Sequence, residues 1–426
     1  MNLNLTHIIS FCKGVFHGNS TEFTASHISI DSRSLQNGNN TLFFAIKGQN
    51  HDAHLYLEEL IAKGVRYFVV EYIPEHLYEK ANFIIVENSL KALQQTAIGY
   101  RKQFDFPFVG ITGSNGKTIV KEWLNFLLSP NHLIVRNPKS YNSQVGVPLS
   151  ILAIEGNYDF GIFEAGISLP NEMSNLEHII QPKYGILTNI GSVHDEGFAN
   201  REAKIKEKIK LFENCSDIFL EKNSEIEVLL PENSQKHTWS FTDESANLFV
   251  SKKNENGKTE LTFKNATNTF SVMIPFSDEN SIENVITCVN FMLFLGEEIA
   301  FIQNRIAELY PVELRLQAKK GINNCLVIDD SYSVDYQSLK IALDFLEQQK
   351  LHDKKTIILS DIFTSGVAVE TLYNQVKQLL SKNKIERIIT IGETIGKQLN
   401  DLPNVISFAT TQEFLQQFNT QSFQNE

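Results

Sequence analysis

Short apolar runs alternate with amphipathic stretches along the whole 426-residue chain. Runs such as FPFVGIT at 106–112, KTIILSD at 355–361 and RIITIG at 387–392 are apolar at successive positions, as expected of strands covered on both faces. Between such runs lie stretches with apolar residues at helical spacing, among them SLKALQQTAIGYRKQF, YQSLKIALDFLEQQ and VETLYNQVKQLLSK. Strand and helix repeated in this order predict α/β architecture built on parallel sheets.

A chain of 426 residues is too long for one core, because domains usually stop growing at about 150 to 250 residues. The pattern breaks after the helix-like stretch that ends before Pro107, and again near Tyr310-Pro311. Three domains are therefore expected, over 1–106, 107–311 and 312–426. In the third, the strand candidates CLVIDDSY, KTIILSD, RIITIG and VISFAT alternate with helical patterns, an order of Rossmann-like type. The pattern stops after TQEFLQQF, where the polar NTQSFQNE offers no further strand.

Composition narrows the class. With 42% hydrophobic and 21% charged residues, the chain has the balance of a soluble globular protein rather than a disordered or fibrous one. A formal charge of -12 argues against a general nucleic-acid binder, so a phosphate-bearing ligand has to be met by a local site. Cys12, Cys215, Cys288 and Cys325 are scattered and suggest neither a zinc site nor a disulfide framework. The opening MNLNLTHIISFCKGVF lacks the features of a secretory signal, and no apolar run reaches the roughly 18 residues needed to span a bilayer. A cytoplasmic protein with no membrane partner is expected.

The strongest chemical signal is Gly110-Ile111-Thr112-Gly113-Ser114-Asn115-Gly116-Lys117-Thr118, followed by the helix-like IVKEWLNFLL. Glycines between a strand and a helix let several backbone N–H groups face one anion. Lys117 is then placed to reach the β- and γ-phosphates, and the Thr118 hydroxyl to bind Mg²⁺. Ile111 stands where the common phosphate loop has its first glycine, so the spacing is G-x-x-G-x-x-G-K-T.

This turn resembles that of the Mur ligases and of their folylpolyglutamate synthetase relatives. Further matches follow in the same order: Asn142 with Gly146-Val147-Pro148-Leu149, Glu164-Ala165-Gly166, and Thr188-Asn189-Ile190-Gly191 leading to His194. Ahead of them, Asp31-Ser32-Arg33, LFFAIKG and Asp52-Ala53-His54 resemble the uridine-nucleotide-binding domain of the later Mur ligases. Behind them, Arg315 and Asp329-Asp330-Ser331-Tyr332 resemble the nucleotide-contacting hinge and strand. The resemblance implies a central ATP-binding parallel sheet flanked by an N-terminal uridine-nucleotide-binding α/β domain and a C-terminal Rossmann-like domain.

It also implies a reaction. ATP phosphorylates a carboxylate, and an amine then attacks the acyl phosphate. The D-N-P-R signature of the relative that adds diaminopimelate is absent, whereas E-x-G and D-D-S-Y are closer to the relative that adds D-alanyl-D-alanine to UDP-N-acetylmuramoyl-tripeptide. Those two substrates are the implied partners.

On the resemblance, Gly113, Ser114, Asn115, Gly116, Lys117 and Thr118 bind ATP together with Asn284, Arg315 and Asp330. Ser32, Arg33 and Asn142 face the acceptor substrate, with Asn142 close to the reacting groups. Charge repulsion between nucleotide and carboxylate calls for two Mg²⁺ ions, one held by Thr118 and Glu164, the other by His194. In the stretch REAKIKEKIKLFEN, the stripe Ile205, Ile209 and Phe212 leaves Lys206 and Lys210 on the far side, with Lys204 and Lys208 at the stripe's borders. The resemblance selects Lys208 as the lysine that takes up CO₂ and, as a carbamate, joins the second metal; a surface lysine is the plain alternative.

Departures from the pattern concern mainly the third domain. Ser333-Val334-Asp335-Tyr336 replaces the usual Asn-Ala-Asn-Pro, and Ser360-Asp361-Ile362 with Gly366 stands in for longer motifs, so the dipeptide contacts are not assigned. Glu283 replaces the usual His before Asn284, which leaves an interior amide as the other reading of Asn284. The resemblance also allows for an alanine racemase domain beyond residue 426. A folylpolyglutamate-type ligase would not need the first hundred residues, and a scaffold that only binds ATP would not need the metal motifs.

Overall fold

The computed structural model describes every residue except 1–2, 34, 36–37, 49–50, 191–197, 199, 256–257, 311–316, 332–335, 349–350, 353, 363–367, 384 and 420–421, and the side chains of 255, 317–318, 337–338, 341, 344 and 348. The chain is mixed α/β, with its helices packed on parallel-rich sheets.

Helix α1 (Leu5–Cys12) precedes five short strands: β1 (Val15–His17), β2 (His27–Ser29), β3 (Thr41–Phe44), β4 (Tyr67–Val70) and β5 (Asn82–Ile85). They form one sheet in the order β1-β5-β4-β3-β2, in which only the β1–β5 pairing is antiparallel. Strands β3 and β4 are buried at every residue, which is why TLFF and YFVV carry no alternation.

Helix α2 (Ser89–Arg101) begins where the Asn88 side chain accepts the Lys91 N–H at 2.8 Å. It docks on two helices of the next unit, α4 (Gly146–Leu152) and α5 (Glu172–Ile180). Tyr100 donates to Ile154 O at 2.8 Å, and the buried Arg101 donates through Nε to Ile180 O at 3.0 Å. One apolar cluster consequently runs without a break from Leu3 to Leu230.

The central sheet contains β6 (Phe108–Thr112), β7 (Ile134–Arg136), β8 (Phe160–Glu164), β9 (Tyr184–Leu187), β10 (Asp217–Glu221), β11 (Gln235–Ser240), β12 (Leu248–Glu255), β13 (Lys258–Lys264) and β14 (Thr269–Ile274). Their order is β14-β13-β12-β11-β10-β9-β6-β8-β7. From β12 to β7 every pairing is parallel, whereas β12, β13 and β14 make an antiparallel meander at one edge. The meander is an addition to the parallel sheet expected from sequence. Its middle strand KTELTFK alternates buried and less buried residues, the mark of a strand with one covered face.

Helix α3 (Lys117–Leu128) buries Val120, Trp123, Leu124, Leu127 and Leu128 at helical spacing, and α7 (Glu279–Leu295) packs beside it in the second apolar cluster. Between β9 and β10 lies α6 (Arg201–Ile209). The strand order reverses at β6: the chain crosses first to β7 and β8 on one side and then to β9 on the other. The carboxyl end of such a strand opens into a crevice.

The last unit begins with β15 (Gln317–Lys320) and β16 (Leu326–Asp329), an antiparallel pair. Helix α8 (Tyr336–Gln348) follows. Then β17 (Thr356–Ser360), β18 (Arg387–Ile391) and β19 (Val405–Phe408) form a parallel sheet, with α9 (Val369–Lys382) between the first two. CLVIDDSY thus yields a strand, but among the described residues it pairs within a hairpin rather than with the parallel sheet. All four cysteines are free, and no helix among the described residues is long and apolar enough to cross a membrane.

Candidate active site

Strand β6 ends at Thr112, and the chain turns through Gly113–Gly116 into α3. Gly113 has φ +148° and Gly116 φ +82°. A Cβ on Gly113 would lie 2.0 Å from Thr188 Oγ1, and one on Gly116 2.2 Å from Asn284 Oδ1, so both backbone conformation and space require glycine. The turn is pinned from the end of β9. Ser114 N–H donates to Asn189 O at 2.7 Å, Asn115 N–H to Asn189 Oδ1 at 2.9 Å, and Thr188 Oγ1 donates to Asn115 O at 2.5 Å.

Lys117 folds over this turn and donates to Gly113 O at 3.0 Å and Ser114 O at 3.1 Å. Lys208, reaching across from α6, donates to the same Gly113 O at 3.0 Å. Two ammonium groups meeting on one carbonyl oxygen repel each other, and a polyanion placed at the turn would relieve that repulsion. Lys204 and Lys208 of α6 are buried, while Lys206 pairs with Glu202, and Lys210, just past the helix, with Glu207, at 2.6 Å each.

Glu164 ends β8 one strand away from the turn and is wholly buried. Thr118 Oγ1 donates to Glu164 Oε2 at 2.8 Å and lies 3.2 Å from Ser140 Oγ. The carboxylate's own backbone is fixed by Asn137, whose Oδ1 accepts Glu164 N–H at 3.1 Å and whose Nδ2 donates to Glu164 O at 3.2 Å. Asn142 lies next in this shell: its carbonyl accepts Gly166 N–H at 2.9 Å, and its side chain covers the Cα of Gly166.

Thr118 and Glu164 fit a hard cation. Both offer oxygen, and two neighbouring ligands of an octahedral Mg²⁺ lie about 2.9 Å apart when each bond is about 2.05 Å. Among the described residues no group of three His, Cys, Asp or Glu side chains gathers around a point, and His194 lies outside those residues.

Asn284 backs onto the turn from α7, and its Nδ2 is buried without a hydrogen-bond partner among the described residues. Helix capping is done by Asp278, whose side chain accepts Ser281 N–H at 2.8 Å. Beside Asn284 opens a cavity of about 370 Å³ lined by Thr188, Asn189, Arg201, Glu221, Asn280 and Glu283, among others. Burial, reinforced by Glu221 and Glu279 and only partly offset by Lys252, pushes the Glu283 carboxyl up to about 7.

Ser32 and Arg33 line a separate cavity of about 570 Å³ on the N-terminal sheet, with Asp31, Phe43, His51 and Tyr56. The His51 and Tyr56 rings stack with centroids 5.5 Å apart. Arg33 makes a forked pair with Asp31, Nε to Oδ1 at 2.9 Å and Nη2 to Oδ2 at 3.0 Å, which holds the Asp31 carboxyl down at about 2. Asp31 Oδ1 also accepts Arg33 N–H at 2.9 Å, so D-S-R is a turn and a cavity wall at once. Asp330 directly follows β16 and is partly exposed; Arg315 lies outside the described residues.

Comparison with known proteins meets this geometry. Residues 111–292, from the phosphate turn through α7, match the Mur ligase middle domain. A curated relative from Bacillus subtilis, named UDP-N-acetylmuramoyl-tripeptide--D-alanyl-D-alanine ligase, is 26% identical over 391 residues, which is 91% of this chain and 84% of that one. The chain is similar to the Mur ligases over most of its length, and its residues 111–292 match their middle domain. Two solved structures carry the same fold over most of their length. MurF from Acinetobacter baumannii has a TM-score of 0.82 at 21% identity, covering 98% of this chain and 91% of its own. MurF from Thermotoga maritima in complex with ADP has a TM-score of 0.73 at 21% identity, covering 89% of this chain and 87% of its own.

Within this arrangement the structure brings Gly113 to Thr118, Glu164, Lys208, Asn142 and Asn284 to one sheet end, and sets Ser32 and Arg33 apart. Sequence reasoning passed over Asn137, Ser140 and Lys121. Lys121 had a signal, a charge falling on the apolar face of α3, whereas the two others sit in a loop whose sequence shows no pattern.

Proposed function

We propose that this chain joins D-alanyl-D-alanine to UDP-N-acetylmuramoyl-tripeptide in the cytoplasm, using ATP to activate the tripeptide carboxylate. The observation that supports this reading is the convergence of the glycine turn, Lys117, Thr118 and the buried Glu164 at the reversal point of the sheet. The γ-phosphoryl group passes to the carboxylate, ADP departs, and the dipeptide amine attacks the acyl carbon as inorganic phosphate leaves.

The backbone N–H groups at the start of α3 and Lys117 hold the phosphates, and the ammonium follows charge as it moves to the transferred group. Thr118 and Glu164 would hold one Mg²⁺; His194 and Lys208, the latter as a carbamate, are assigned the other. Bound there, such ions would supply the positive charge that screens repulsion between phosphate and carboxylate. Asn284 offers its buried amide, which has no hydrogen-bond partner among the described residues, toward the nucleoside side of the turn, with Arg315 and Asp330 contributing from the third unit. Ser32 and Arg33 receive the uridine diphosphate, where a guanidinium fork suits phosphate once it leaves Asp31.

Incubation with ATP, Mg²⁺ and both acceptors should release phosphate and yield the pentapeptide product, with neither acceptor sufficient alone. Phosphate release with folate and glutamate, or with no acceptor, would overturn the assignment.

A further inference from the structure

Lys121 lies one helical turn past Thr118 and is completely buried, on the face of α3 that otherwise carries Val120, Trp123, Leu124 and Leu127. A buried ammonium costs several kcal/mol unless its donors are matched, and an apolar residue would avoid that cost. Its three N–H groups meet acceptors around Glu164. One goes to Asn137 O at 2.7 Å and one to Lys139 O, while Glu122 Oε1 at 3.3 Å and Glu164 Oε1 at 3.5 Å share the remaining direction. Asn137 is the same residue that clamps the Glu164 backbone, and Glu122 is itself held by Arg136 at 2.9 Å.

The two oxygens of Glu164 are thereby divided. Oε2 faces Thr118 and the phosphate turn, and Oε1 faces the buried cation. We propose that Lys121 is a positioning residue that holds Glu164 by Oε1, so that Oε2 alone, together with the Thr118 hydroxyl, is presented to a small divalent cation. This rests on the metal role given to Glu164 above. One-oxygen presentation suits the octahedral demand of Mg²⁺, whereas Ca²⁺ often takes a carboxylate through both oxygens.

The test is binding of a fluorescent ADP to the full chain in EDTA, in Mg²⁺ and in Ca²⁺. In the parent, Mg²⁺ should tighten binding more than Ca²⁺ does. Lys121→Met should leave the EDTA affinity within about twofold, cut the Mg²⁺-dependent gain about tenfold and erase the preference for Mg²⁺. Lys121→Arg, which keeps the charge, should recover part of the gain. In a Glu164→Gln background Lys121→Met should add nothing, because the lysine acts through that carboxylate.

Equal losses in EDTA and Mg²⁺, or an unchanged Mg²⁺ gain, would overturn the proposal. If Lys121→Met does not fold, Lys121→Arg in the two backgrounds decides: an effect of equal size with and without Glu164 overturns it. A parent chain that shows no Mg²⁺ gain at all would instead sink the metal role of Glu164, and this proposal with it.

Discussion

Glu283 makes stability depend on pH in a direction opposite to most carboxylates. It sits partly buried on α7 among Glu221, Glu279 and Asp278, with Lys252 as the opposing charge, and its carboxyl is raised from an ordinary 4.5 to about 7. Between those values the folded chain keeps a proton that the unfolded chain releases, so stability is fully present below about 4.5 and is lost as pH rises through about 7. The interval corresponds to about 3 kcal/mol, and water at the partly exposed edge reduces this to about 2 kcal/mol. Glu283→Gln cannot ionise. At pH 8.5 it should be more stable than the parent by about that amount, and at pH 5 the two should agree within about 0.5 kcal/mol. Urea unfolding followed by tryptophan fluorescence measures this directly, because Trp123 and Trp239 both lie in the core of the central sheet. A difference of the same size at both pH values would refute the reasoning, since it would come from packing and not from the proton.

Gly116→Ala should destabilise the chain by about 2 kcal/mol and abolish nucleotide binding, because its φ of +82° and the Asn284 oxygen 2.2 Å from the new Cβ both oppose a side chain; calorimetry with ADP checks it. Lys117→Met should lower kcat for phosphate release about a hundredfold or more with little change in melting temperature, since Lys117 spends its donors on the turn's own carbonyls. Arg33→Ala should raise KM for the UDP-linked substrate about tenfold with kcat unchanged, and a fall in kcat alone would place Arg33 elsewhere.

The glycine turn was legible because its geometry is local: nine consecutive residues fix a strand end, the two glycines of the turn and a helix start. The strands of the third unit, KTIILSD, RIITIG and VISFAT, were legible for the same reason, as was the difference between Lys204 and Lys208 on one side of α6 and Lys206 and Lys210 on the other. Helical spacing alone separates those pairs, and their burial follows it.

What pairs with what was not legible. Nothing local in CLVIDDSY says that it closes a hairpin with 317–320, and nothing in SLKALQQTAIGYRKQF says that Tyr100 and Arg101 will anchor it to Ile154 and Ile180. The sequence by itself determined the elements and the glycine turn, since periodicity and φ preference act within a few residues. Only the tertiary structure decided that Asn137, Lys121 and Ser140 would meet around Glu164. Contacts across 16 to 46 residues depend on which strand lies beside which, and that order is set by the packing of the whole sheet.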